Sequence, residues 1–210
     1  MAPATTVHLA GGLLFSSGSA CPIRASANTM AAQTASEAET ARVELHGAAI
    51  IAAIREAGVE FVLSVPDIVT SAGLLRPIAN DPNFRLVRVC KEDECIGIAS
   101  GLHYSDRRAL ILIQYTGFLD SLNAIRAVAV EYKQPICMMV GLLGHEPERP
   151  PAQSGRYGVR IIEPICDAMG IPHHLINEDS HVARIKPAID KAYADSFPVA
   201  MLIGRRPLPP

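Results

Sequence analysis

The sequence predicts an α/β fold, an open six-stranded parallel sheet with helices on both faces. Three observations carry that expectation. Helix-like and strand-like segments alternate from about Thr40 almost to the C-terminus, the order that builds strand–helix–strand crossovers. The strand segments are short, and the one at Ile136–Val140 is an uninterrupted apolar run, as strands buried on both faces are. The intervening segments repeat their apolar residues at helical spacing, and each crossover is expected to be right-handed.

Taken in order, Ala41–Ala57 places Val43, Gly47, Ile50 or Ile51, and Ile54 at helical intervals, with Gly58 suited to the C-cap. Phe61–Val65 follows as a buried strand that Pro66 stops. Ser71 can cap a short helix through Ile78, Asn80–Asn83 makes a turn, and Leu86–Cys90 is the second strand. A helix starts near Glu92, and Ala109–Gln114 is the third strand. The pattern repeats with a helix from about Asp120 to Glu131 and the strand Ile136–Val140. Residues 142–158, with three prolines and three glycines, form one long loop. Ile161–Met169 is a helix ended by Gly170, His174–Ile176 a strand, Val182–Tyr193 a helix and Val199–Ile203 the sixth strand.

Outside this pattern, residues 1–38 are rich in Ala, Ser and Thr without a sustained period, and are expected to be a weakly ordered extension. Residues 39–206 form the domain and 207–210 a tail. Lys and Arg number 19 against 21 Asp and Glu, a net charge of -2, which supplies no broad basic field for nucleic acid or anionic membrane. The longest apolar run, about Ile136 to Leu143, is far short of the roughly 18–20 residues that span a bilayer. A soluble, cytoplasmic protein is the expectation. Five scattered cysteines, Cys21, Cys90, Cys95, Cys137 and Cys166, lack the close pairing of a structural zinc site, so reduced thiols acting as small hydrophobes are expected.

Ligands of such sheets bind beyond the carboxyl ends of the strands. Those ends are Val65-Pro66-Asp67, Cys90-Lys91-Glu92, Gln114-Tyr115-Thr116-Gly117 and Val140-Gly141. The chain contains neither G-x-G-x-x-G nor G-x-x-x-x-G-K-[ST], and no G-x-S-x-G or H-E-x-x-H, which argues against the usual dinucleotide, nucleotide, serine-hydrolase and zinc-protease chemistries. What remains is Lys91 to Gly101, K-E-D-E-C-I-G-I-A-S-G. Three carboxylates at a first helical turn can be explained by the helix dipole alone. Glu92 differs from the other two in standing where an apolar strand hands over to a helix of small residues. Cys95, Ile98, Ala99 and Leu102 share the expected buried face, and Gly97 and Gly101 would permit close backbone approach. A carboxyl at that position could share a proton with a nitrogen heterocycle at neutral pH.

These residues resemble the pyrimidine-binding domain of thiamine-diphosphate-dependent enzymes, and in particular the alpha subunits of two-subunit sulfopyruvate or phosphonopyruvate decarboxylases. Lys91 to Leu102 is similar to that family's R-E-E-E-x-x-G-I-x-x-G. Ile111 to Asn123, I-L-I-Q-Y-T-G-F-L-D-S-L-N, is similar to L-x-x-Q-x-S-G-x-G-x-S-x-N, and Ser64-Val65-Pro66-Asp67-Ile68 resembles its G-x-P-D-S turn. The likeness runs from about Glu44 to Arg206. Leu119 departs from it by standing where a second glycine is usual, and could narrow the cleft; Ser64, Ile68 and Leu102 are further departures.

The resemblance implies that Glu92 is the catalytic residue, its carboxyl hydrogen-bonding N1' of the aminopyrimidine ring. It also implies that Pro66, Asp67, Gln114, Thr116 and Gly117 line the cofactor site with Glu92. Of Asp67 and Gln114, one would contact the pyrimidine and the other the substrate. The family's diphosphate anchor, G-D-G followed by Asn, ligates Mg²⁺. No G-D-G occurs here, so this chain is expected to contribute no metal ligand. A separate beta subunit would supply the anchor, in an α2β2 assembly or a multiple of it. The helix bearing Leu122, Ala124, Ile125, Ala127 and Val128 would either meet a partner or simply cover the sheet.

The implied reaction is decarboxylation of a small anionic 2-oxo acid of the sulfopyruvate or phosphonopyruvate type. Lys91, Arg149 or Arg156 could meet its second anionic group; each also reads as an ordinary solvated charge. His145 could orient a carboxylate, or be a surface residue of the long loop. Two alternatives stand beside this reading: a carboligating enzyme of the same family, and a non-catalytic domain that binds a metabolite or a partner.

Overall fold

Successive side chains of a strand point to opposite faces of a sheet, and in the strand Ala109–Gln114 both sets are buried. Leu110 and Leu112 join one apolar core, Ile111 and Ile113 the other. The sheet therefore carries helices on both faces, as the apolar strand runs require. The computed structural model describes residues 43–210; the expected N-terminal extension and Cys21 lie outside them. The strands are β1 (Phe61–Ser64), β2 (Arg85–Arg88), β3 (Ala109–Gln114), β4 (Cys137–Gly141), β5 (His173–Ile176) and β6 (Val199–Ile203). They form one six-stranded sheet in the order β2-β1-β3-β4-β6-β5, and every pairing is parallel.

The first core receives Ile50, Ile51 and Ile54 of the helix Gly47–Glu56. It also takes Leu74, Leu75 and Ile78 from the segment after β1, and Ile185, Ala188, Ile189 and Ala192 from the helix Ile185–Asp195. The second core takes Cys95, Ile96 and Ala99 of the helix Glu92–His103, with Phe118, Ile125, Ile162 and Cys166 from the helices after β3 and β4. Burial pushes the thiols of Cys95, Cys137 and Cys166 up to about 12, so these cysteines pack as protonated apolar groups. None of the described helices is long and apolar enough to cross a membrane.

Several boundaries differ from the expectation, each for a tertiary reason. The first helix starts at Gly47, because His46 instead pairs in a parallel bridge with Leu208. Leu208 donates its N–H to Leu45 O and accepts that of Gly47, which anchors the segment 207–210. A Cβ on Gly47 would come 1.9 Å from the Gly73 carbonyl oxygen, so glycine is what lets these two segments touch. The segment after β1 is a π-helical turn, Ser71–Leu75, running into the helix Arg76–Ala79. In the helix Glu92–His103 the buried face includes Ile96, while Ile98 is 36% exposed. The close approach expected at Gly97 and Gly101 is not made by the described residues, since nothing lies within 4 Å of a Cβ built on either.

The helix expected from Asp120 begins directly at the end of β3, as Tyr115–Asp120. It continues through Leu122–Ala124 into a π-helical Ile125–Glu131. Ile125 is fully buried in the second core, and Leu122, Ala124 and Val128 pack partly against it. The long loop contains a 3-10 turn, Pro151–Gln153, and a helical turn, Tyr157–Arg160.

Candidate active site

The strand order places the reversal point, where sheets of this kind form a ligand crevice, at the carboxyl ends of β1 and β3. These strands are neighbours, yet the segment after β1 packs into the first core and the helices after β2 and β3 into the second. Adjacent chains therefore leave the sheet toward opposite faces, the condition that opens a ligand crevice. Pro66 and Asp67 follow β1, Gln114 ends β3, and Thr116 and Gly117 lie in the first turn of the helix Tyr115–Asp120.

Glu92 enters the same region from the end of β2, as the first residue of its helix. Its half-buried side chain lies directly on Gly117: a Cβ there would meet Glu92 Cγ at 2.3 Å and Oε1 at 2.4 Å. Glycine at position 117 thus makes the seat in which the carboxyl rests. Among the described residues no hydrogen bond or ion pair engages that carboxyl, whereas Asp93 at the next position is paired with Lys91. With no protein donor taken among the described residues, the Glu92 carboxyl is available to a donor from a ligand.

The other expected residues divide by what they already hold. Thr116 donates its hydroxyl to Gln114 Oε1 at 3.0 Å, which orients the Gln114 amide at the strand end. Pro66 is exposed at the mouth of the crevice. Asp67 is buried, and its carboxylate accepts from Val69 N at 2.5 Å, from Thr70 N at 3.0 Å and from the Thr70 hydroxyl. It also stands over Gly141, where a Cβ would come 3.2 Å from Oδ1. Asp67 therefore holds together the turn after β1, close beside the end of β4. Leu119 is partly buried and packs on the second core.

The Lys91 ammonium bridges Asp93 at 3.1 Å and Asp120 at 3.3 Å, and hydrogen bonds to these carboxylates raise its pKa. It is already balanced by two anions. Arg156 packs its side chain against Gly144, and Glu146 pins the long loop by accepting from the Ser154 hydroxyl at 2.7 Å and Gly155 N at 3.1 Å. His145 is buried rather than at the surface, with neither ring nitrogen partnered among the described residues, and burial lowers its pKa. No three His, Cys, Asp or Glu side chains converge to hold a metal among the described residues.

Sequence reasoning passed over Arg76 and Arg88, which line a cleft beside Pro66 with Ser71 and Asn80. The available signal was Arg88's place at the end of β2, just before Glu92.

No family model matches the chain. Among curated proteins it is 30% identical over 157 residues to the protein named sulfopyruvate decarboxylase subunit alpha of Methanocaldococcus jannaschii, covering 73% of this chain and 90% of the relative. It is 29% identical over 157 residues to the protein of the same name in Methanococcus maripaludis, covering 74% and 92%. A third relative, named sulfopyruvate decarboxylase, from Methanosarcina acetivorans, is 23% identical over 156 residues, covering 74% of this chain and 39% of that protein.

Proposed function

The chain belongs to the family of sulfopyruvate decarboxylase alpha subunits, and from that membership we propose that it is the pyrimidine-binding subunit of a two-subunit, thiamine-diphosphate-dependent decarboxylase. Its substrate is a small 2-oxo acid with a second anionic group, of the sulfopyruvate or phosphonopyruvate type. The observation that carries this reading is the Glu92 carboxyl, half-buried, without a partner among the described residues, and seated on Gly117 near the ends of β1 and β3.

That carboxyl suits a heteroaromatic nitrogen. It would hold the proton shared with N1' of the aminopyrimidine, and the small Gly117 surface would keep it in place. The ordered Gln114–Thr116 pair and Pro66 would shape the ring's surroundings, while Asp67 acts one step back by fixing the turn. When bound, thiamine diphosphate supplies the electron sink for the pair left by departing carbon dioxide. Mg²⁺ and the diphosphate would be held by a beta subunit, in an α2β2 assembly or a multiple of it. Two facts support a second half: relatives carry the name subunit alpha, and the chain matches only 39% of a relative whose name has no subunit designation.

The test is to purify the chain with whatever accompanies it from its native cell and measure carbon dioxide release from sulfopyruvate with thiamine diphosphate and Mg²⁺. Glu92→Gln should keep most of the cofactor binding and lose about a hundredfold or more of the rate. Equal rates for the variant and the wild type at matched cofactor occupancy would reject the role of Glu92.

A further inference from the structure

Arg88 ends β2 opposite Ser64 of β1, and Arg76 opens the helix Arg76–Ala79. Together with Pro66, Ser71 and Asn80 they line a cleft of about 460 Å³. Both arginines are exposed, and neither guanidinium has a hydrogen bond, an ion pair or an aromatic partner among the described residues. Elsewhere Arg55, Arg107, Arg108 and Arg126 each hold a carboxylate. The other polar groups of the cleft are partly used: the Ser71 hydroxyl donates to Asp67 O, and Asn80 Nδ2 donates to Arg76 O. Two guanidinium forks remain, lining a shared space with no counter-charge among the described residues.

Two unbalanced cations in one cleft repel each other unless an anion joins them. Guanidinium forks match the paired oxygens of sulfonate, phosphonate or carboxylate. The cleft is also well placed for a substrate group. Its lining includes Pro66, which follows β1 at the carboxyl end of the sheet, the end at which Glu92 also enters. Two of the other cations considered for this role are less suitable. Lys91 is already bridged to Asp93 and Asp120, and Arg156 packs on the loop after β4.

We propose that the Arg76–Arg88 cleft is an oxyanion subsite that holds the sulfonate or phosphonate of the substrate and so sets its specificity. The role in turnover rests on the function proposed above; the affinity for a sulfonate does not. The experiment uses the assembled enzyme carrying Arg76→Gln, Arg88→Gln or both, with circular dichroism confirming that the fold is retained. Each single change should lower kcat/KM for sulfopyruvate about ten- to a hundredfold, the worth of a charge-assisted hydrogen bond, and leave that for pyruvate unchanged. In parallel, sulfoacetate should bind the wild-type complex in calorimetry, and the double variant should lose that binding.

Equal losses for sulfopyruvate and pyruvate, or undiminished sulfoacetate binding by the double variant, would overturn the subsite. Were no decarboxylation found, loss of sulfoacetate binding in the double variant would still uphold the cleft while the catalytic reading failed. A normal turnover preference in all three variants would reject the subsite and leave the role of Glu92 standing.

Discussion

Gly117→Ala tests the seat of the Glu92 carboxyl without touching the carboxyl itself. The added methyl would lie 2.3 Å from Glu92 Cγ and 2.4 Å from Oε1, where ordinary contact begins at 3.4 Å, so the side chain must retreat by about 1 Å. Glu92 is flexible and can do so at an off-rotamer cost of about 0.5–1.5 kcal/mol. Alanine in place of a helical glycine returns about 1 kcal/mol. Stability should therefore change by less than about 1 kcal/mol. Activity should not survive so well, because a displacement of about 1 Å at a reacting group costs on the order of a hundredfold. The assay pairs urea unfolding of the purified variant with carbon dioxide release by the assembled enzyme. Wild-type turnover with unchanged stability would show that Glu92 needs no fixed seat, and would refute the reasoning from Gly117.

Two further outcomes follow from contacts around the site and at the chain's ends. Asp67→Ala removes the acceptor of two buried backbone N–H groups and the Thr70 hydroxyl, so urea unfolding should show a loss of roughly 2 kcal/mol; a change below about 0.5 kcal/mol would mean the turn is held by other contacts. His46 donates its backbone N–H to Asp179 at 2.8 Å and pairs its ring with the same carboxylate at 2.6 Å, and the Asp179 hydrogen bond, then its charge, raises the His46 pKa above 6.5. A raised folded-state pKa stabilises fully below the unfolded value and loses that contribution as pH rises through the folded one. Asp179 is lowered from 3.8, chiefly by the His46 backbone hydrogen bond, and its contribution vanishes only in stronger acid. His46→Gln should thus be less stable than wild type at about pH 6 and closer to it at about pH 9; a gap of constant size at both would contradict the ion pair.

Much of the fold was legible because its signal is local. The run Ala109–Gln114 alternates between two buried faces, and a strand apolar on both sides announces a covered parallel sheet. Glu92, Gln114 and Gly117 could be selected because strand ends in such a sheet are where ligands meet the chain. Where the reading strayed, a distant segment had intervened. His46 leaves the helical pattern because Leu208 offers a β-bridge. Ile96 and not Ile98 turns inward, because the orientation of a helix made of small residues is settled by what it packs against rather than by its own weak periodicity. His145 belongs to a loop with many polar groups but is buried, and loop composition does not encode that.

By itself the chain's order of residues determined the α/β class, the six strands, and a short set of groups able to do chemistry, since period and turn chemistry act over a few neighbouring residues. Only the tertiary structure decided what those groups face. It laid Glu92 on Gly117, committed Asp67 to its own turn, balanced Lys91 with Asp93 and Asp120, and left Arg76 and Arg88 sharing a cleft. The physical reason is that a polar side chain takes whichever partner the packed sheet brings within about 3 Å, and that competition is settled by contacts between residues far apart along the chain.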